Sequence, residues 1–578
     1  MRGPCRTPWV CSALLLLGSC GVSEDAPPGP EGTALSFCER VLPRVEAFVA
    51  RSEEVMNPPP DDPRYGGTVA ISIGGDLPGG LNAFAATGHE SFQHQLHVGL
   101  MSLLRYDASL EMQPYLAESW ELDADTTRIT FHLRDDVYWH DGERTDAYDV
   151  AFTYQRMTDP GTGYPNASYW EHYVPGPSGV EVIDSFTVAV RIARPHAEPL
   201  HPWRAVAVMP EHLLGDVPPE ALADHPFGTV CPVGNGPFVF VEHRPSERWT
   251  FRANPAFPAG LGGRPFVDRY VLRAIPEPAT QLAELLTEGT DVYLAPPLEH
   301  VDQITGSSDL DVLSFPSRQY AFIAWNQRRP VLSDARVRRA LSLALDRQGI
   351  VDAILGGHGS VAQTTVPPFH WAYDPDLGGP SSRDTAEARR LLEEAGWTDR
   401  DGDGTLENAE GAPLTIEIEY NLGNPQRAQI AEVVQAQLRE VGVDLDLAVV
   451  EYTTLEARIT NPDRRDYDAF FLGWANDFKL GDGDLFHSER IDGPFAFAGV
   501  RNPEMDVLMD TLQLIVDRDD ARPLWRRYQE LLIEEQPYAF LYFPDRLVGI
   551  NRRLHGVTMD VRGDLVNLKD WWIDPAGR

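Results

Sequence analysis

Two groups of side chains stand at spacings that suit metal chemistry. Residues 399–410 read DRDGDGTLENAE, the order of a calcium loop. Asp399, Asp401, Asp403, the Thr405 carbonyl, Glu407 and Glu410 would supply oxygens, with Gly404 at the sharp turn. The run PLTIEIEY that follows alternates like a strand, so this is not half of a helix–loop–helix pair. Two readings stay open: a structural Ca2+ site, or an acidic turn without metal. His89, His94 and His97 sit in HESFQHQLH. A helix would put His94 and His97 on one face, where imidazoles converge on a metal. Ordinary core or surface histidines are the alternative.

Catalytic signatures are missing. G-x-S-x-G, H-E-x-x-H, a phosphate-cradling P-loop and G-x-G-x-x-G do not occur, and no acid pair is singled out by its spacing. The chain is expected not to be an enzyme, with a hydrolase as the remote alternative. The formal net charge is −38 at pH 7, which excludes nucleic acid and a polybasic membrane patch as partners. Lysine occurs only at Lys479 and Lys569. With 13 Trp, 19 Tyr and 24 Phe, aromatic rings suffice for cores and for a ligand cleft.

The elements that must position these residues begin after a targeting segment. Residues 1–19 pair Arg2 and Arg6 with a short apolar run, too short to span a bilayer. The run ends in Leu17-Gly18-Ser19-Cys20, which resembles a bacterial lipobox. Cys20 would be lipidated and become the mature N-terminus, anchored by more than one acyl chain. Cys5 and Cys11 leave with the leader, so Cys38 and Cys231 remain. An exported pair can be oxidised, but spacing does not say whether these two meet. Residues 20–64 are expected to be a tether or linker, with a weak helical pattern over 34–56 broken by Pro43. From Tyr65 strands and helices alternate. Residues 69–74 read as a strand, and 128–142 begin as an alternating strand and end at an Asp-Gly turn. Helices are expected over 145–157, capped by Thr145, from Ser333-Asp334, from Asp384 to Gly396, and over 430–442. A chain of 578 residues exceeds one hydrophobic core, so several folding units are expected.

The segment YLAESWELDADTTRITFHLRDDVYWHDGERTDAYDVAFTYQRM, residues 115–157, resembles the signature of family 5 bacterial extracellular solute-binding proteins. GNGPFVFVEHRPSERWTFRANPAF at 234–257, the Asn326–Arg347 run, the Ala388–Trp397 run, YDAFFLGWANDF at 467–478 and EQPYAFLYFPDR at 535–546 match in family order. The resemblance implies an α/β, two-lobed periplasmic-binding-protein fold of the type II class, enlarged by an extra subdomain and closing on a hinge. Lobe I would comprise 65–108, 228–314 and 536–578, with the subdomain over 109–227, and lobe II would be 315–535. It implies the solute-capturing lipoprotein subunit of an ABC importer, most simply monomeric, that passes small peptides to permease subunits. A nickel chelate, an oligosaccharide or a sensor role are the alternatives within the same fold.

The resemblance also implies site residues. In peptide-binding relatives an Asp after a G-W pair holds the ligand's α-ammonium. Gly473-Trp474-Ala475-Asn476-Asp477 carries that pattern here, with Trp474 as a flat wall. A closing cleft must neutralise a buried ammonium. Gly74 and Gly75 would offer backbone groups for strand-like pairing. No cofactor is required beyond the open question of Ca2+. The loop after Asp477, Phe478 to Asp484, is more acidic than the family pattern and lacks its Pro, which leaves ligand class open.

Overall fold

The computed structural model describes residues 30–55, 62–85, 88–170, 173–377, 379 and 382–575. The leader and Cys20 lie outside the described residues.

The strand Tyr538–Asn551, YAFLYFPDRLVGIN, organises the molecule. Its two ends are aromatic or aliphatic and buried on both faces, the pattern of a central strand. Pro544, Asp545 and Arg546 in the middle are only half buried. The first half pairs with Gln319–Trp325 through Ala321↔Tyr542 to Ala324↔Tyr538. The second half pairs with Leu310–Pro316 and Val292–Leu294. One strand therefore serves two groups of strands. The first group runs through Val292–Leu294, Thr68–Ile73, Arg269–Ala274, Arg248–Ala253 and Phe238–Arg244. The second runs through Gln319–Trp325, Ala469–Ala475, Thr415–Asn421 and Asp444–Val450. Among the described residues two chain segments link the groups, Pro316–Gln319 and Tyr542–Arg546. Ser317 ties them, donating from Oγ to the Pro544 carbonyl at 2.7 Å.

The second group is buried on both faces because its strands alternate apolar side chains. Tyr320, Phe322 and Ala324 enter one core, while Ala321, Ile323 and Trp325 enter another. The first group shares its core with a separate sheet of Ala117–Leu122, Arg128–Leu133, Thr187–Arg191 and Val180–Asp184. Within that sheet's neighbourhood, Trp139 Nε1 donates to Asp149 Oδ2 at 2.8 Å. This bond explains why the Trp of V-x-W-x-D-G and the Asp of D-V-x-F occur together. Gly234 and Gly236 pack on backbone: a Cβ at Gly234 would lie 1.8 Å from the Gly99 carbonyl oxygen.

Two expectations are corrected. Residues 30–55 are not a tether but a helix, Pro30–Val55, continuous through Pro43. Pro43 and Glu39 face solvent, so the carbonyl that loses its partner is wetted. Phe37, Val41, Val45 and Val49 bury one stripe in the first core, and Cys38 is disulfide-bonded to Cys231 with a Cα–Cα distance of 5.7 Å. The helix Ala147–Met157 is capped by Asp146, not Thr145, because Asp146 accepts from the Tyr148 and Asp149 amides and Asp149 reaches back. Along Tyr538–Asn551 the partner changes between Pro544, which pairs with Gly359, and Asp545, which pairs with Pro316.

Candidate functional site

Asp477 stands just past the end of Ala469–Ala475, at the seam between the two groups. Its carboxylate is already engaged. Arg204 Nη2 donates to Oδ1 at 2.7 Å, and His201 Nε2 lies 2.9 Å from Oδ2. Arg318 Nη1 lies 3.8 Å from Oδ1. His201 Nδ1 in turn meets the Tyr106 hydroxyl at 2.9 Å. Burial would raise the Asp477 pKa, but His201, Arg204 and Arg318 outweigh it and hold it well below the usual range. Burial pushes His201 down while Asp477 pulls it up, and the imidazole bridges a phenol and a carboxylate. Where the sequence reading placed a ligand ammonium on Asp477, the protein's own guanidinium stands.

Asp477 follows a strand of the second group, whereas Tyr106, His201 and Arg204 sit on segments whose Leu104 and Trp203 pack into the first group's core. More bonds cross beside it. Trp371 Nε1 donates to Glu198 at 3.0 Å, Lys479 Nζ donates to the Tyr173 hydroxyl at 3.0 Å, and the Ala197 amide donates to the Gln513 carbonyl at 2.7 Å. Arg518 pairs with Glu111 at 2.6 Å. The seam is closed. Behind it lies a cavity of about 290 Å3, lined among others by His97, Arg105, Tyr106, Arg204, Arg318 and Phe478.

Phe92, Tyr106, Tyr115 and Phe478 line this cavity, and Trp474 does not. Strand alternation turns Trp474 into the second lobe, with its ring centroid 5.4 Å from Phe495 and 6.1 Å from Phe497. Arg204 and Arg318 lie over Phe478 at 4.8 and 5.1 Å. Gly473 faces a second cavity of about 360 Å3 on the other side of the crossing strands.

The family of bacterial extracellular solute-binding proteins, family 5 (middle), matches residues 111–488. The chain belongs to this family. It is 30% identical over 474 residues to the oligopeptide-binding protein AppA of Bacillus subtilis (strain 168), covering 82% of this chain and 85% of that protein. The solved structure of AppA from Bacillus subtilis in complex with a nonapeptide superposes with a TM-score of 0.70 at 28% identity, covering 89% of this chain and all of that one (100%). Heme-binding protein A of Haemophilus influenzae is 25% identical over 475 residues, covering 78% of this chain and 82% of that protein. The chain has this family's two-lobed α/β fold.

The remaining predicted residues of this family member lie apart. Gly74 and Gly75 follow the strand Thr68–Ile73 and are exposed; a Cβ at Gly75 would meet nothing within 4 Å. Asp76 beside them fixes the loop, accepting from Trp249 Nε1 at 2.6 Å and from the Ser246 and Leu77 amides. The three histidines do not converge. His94 is buried with Nδ1 2.6 Å from the Glu90 carbonyl and Nε2 2.6 Å from the Tyr270 hydroxyl, so neither nitrogen is left for a metal. His89 turns to Asp564 at 3.6 Å, and His97 faces the cavity. In the acidic turn, ligand atoms of Asp399, Asp401, Asp403 and Glu407 lie within 4.8 Å of one another, and Glu410 is not among them. The turn is held by its own backbone. Gly402 and Gly404 donate to Asp399, Asp403 donates to Asp401, Thr405 donates to Asp403, and Arg400 donates to Glu407.

Sequence reasoning missed Tyr106, His201, Arg204 and Arg318. His201 and Asp477 are 276 residues apart, and no local pattern links them.

Proposed function

We propose that this protein is the extracytoplasmic capture subunit of an ABC importer, closing over peptides between its lobes and handing them to permease subunits. The observation that carries this is the interlobe cavity sealed by Asp477, Arg204 and His201, in a fold that matches AppA held with a nonapeptide. The lobes would turn about Pro316–Gln319 and Tyr542–Arg546, with residues 109–227 as an added subdomain of lobe I. Cys20 would carry the lipid that keeps the protein at the membrane. No helix among the described residues is long and apolar enough to cross a membrane, so nothing in them competes with that anchor.

Capture in this reading needs no cofactor. The acidic turn at 399–407 is its candidate calcium site; a melting temperature unmoved by calcium or EDTA would remove it.

Native mass spectrometry of the full chain in detergent, before and after gentle unfolding, tests the reading. A heterogeneous set of released small peptides is the expected outcome. A released metal chelate or sugar, or an apo mass unmoved by added peptides, would overturn it.

A further inference from the structure

The cavity behind Asp477 has the opposite sign of charge from the chain around it. The protein's formal net charge is −38 at pH 7, yet Arg105, Arg204, Arg318, Arg562 and Lys569 all line this cavity. Its two acids are spoken for. Asp107 accepts from the Ser109 and Glu111 amides and from Gln113. Asp570 holds Lys569 at 2.5 Å, and Asp560 just outside holds Arg562 at 2.6 Å.

Three arginines keep donors to spare. Arg105 lies over the Tyr115 ring and has no carboxylate partner among the described residues. Arg204 gives Nη2 to Asp477, but its buried Nε finds no acceptor among the described residues. Arg318 reaches only the Asn476 carbonyl at 3.5 Å and Asp477 at 3.8 Å. A buried donor without an acceptor is costly, which singles out Arg204 Nε. Arg105 is exposed and Arg318 half-buried, so their remaining donors are open to solvent and to an entering solute. His97 reports the same field. Burial, with Arg562, Arg105 and Arg204 nearby, pushes its pKa down to about 3. An ammonium entering here would meet several guanidinium groups and, of the lining carboxylates, only Asp107 without a cationic partner among the described residues. A carboxylate would meet planar donors suited to it.

We propose that this cavity anchors a carboxylate of the captured solute, with Arg105, Arg204 and Arg318 as donors, so that the protein selects peptides by an acidic group rather than by their α-ammonium. The inference rests on the peptide-capture reading above. The cavity of about 290 Å3 suits a small solute or one end of a longer peptide. Both a C-terminal carboxylate and an acidic side chain offer the required chemistry.

Isothermal titration of the full chain in detergent separates these. The probes are Ala-Ala-Ala, its N-acetylated form, its C-terminal amide, and N-acetyl-Ala-Glu-Ala amide. The two free acids should bind alike, and the simple amide should bind roughly tenfold to a hundredfold more weakly, the worth of a charge-assisted hydrogen bond. Binding of the glutamate amide would assign the anchor to any carboxylate; its failure, with the acids still bound, would assign it to the peptide terminus. Arg105→Gln should weaken the acids and leave the simple amide unchanged, with the unfolding curve as a check on folding. An amide that binds as tightly as the acid, or binding lost on N-acetylation, overturns the proposal. If no tripeptide binds in any form, the peptide reading fails, and glutarate decides the cavity. Glutarate binding weakened by Arg105→Gln upholds the anion site; no glutarate binding overturns that too.

Discussion

At the scale of single residues, Asp477 shows how one side chain answers to several partners. The sequence reading singled it out as a carboxylate that a closing cleft must use. In the structure its carboxylate has an internal partner, Arg204. Arg204 has side-chain exposure of 10% and Asp477 of 42%, so the pair is partly screened and each bond is modest. Asp477→Ala should therefore cost the closed form about 1 kcal/mol, or about fivefold in its population. Small-angle scattering of the ligand-free protein should show a larger radius of gyration, and Arg204→Ala should match it. An unchanged curve in both variants would mean that the remaining interlobe bonds hold the cleft shut alone. The neighbouring Trp474 was misjudged for a local reason. Residue identity is legible in sequence, but which side of a strand faces a cavity depends on the partner strands.

At the scale of elements, the helix Pro30–Val55 departs furthest from expectation. Its apolar stripe was visible only weakly, because a proline stood in the middle and linker-like residues flanked it. Tertiary packing overrides both signals. Phe37 meets His225 with ring centroids 4.9 Å apart, and Arg44 reaches Asp141 at 3.0 Å. The disulfide then joins residues 193 apart in sequence. Closing so long a loop constrains the unfolded chain strongly, and removing a bond of this kind typically costs about 2–5 kcal/mol. Cys38→Ser should lower the melting temperature, and reducing agent should lower the wild type but not the variant. Equal melting of both proteins without reductant would show that the helix docks without the bond. Other elements were legible because their signals are local. Asp384 accepts from the Glu387 amide at 2.9 Å, and Gly396 takes a φ of 92° past the helix, as the cap pattern requires.

At the scale of the whole molecule, buried histidines make stability depend on pH. His94, His140 and His370 are almost wholly inaccessible, and burial pushes each pKa from 6.5 down to about 4. The unfolded chain therefore binds more protons than the fold between these values. This contribution to stability is complete above about pH 6.5 and is lost as pH falls toward 4. Each histidine contributes about 1 kcal/mol per pH unit within that window. Urea unfolding should show a clearly lower midpoint at pH 5 than at pH 7, with an unchanged slope. A midpoint independent of pH would show that these histidines take up protons in the fold.

The sequence by itself determined the family, the α/β class, the order of most strands and helices, and the presence of an acidic turn. Those features are written in contiguous residues, where hydrophobic period, caps and motif order act over a few positions. Only the tertiary structure decided that Cys38 meets Cys231, that a helix replaces the expected tether, and that His94 is spent on Tyr270. Only it brought Arg105, Arg204 and Arg318 around one cavity in a strongly acidic chain. Charge counted along a sequence averages over the whole surface, whereas the potential in a cleft depends on which few side chains folding brings within several ångströms.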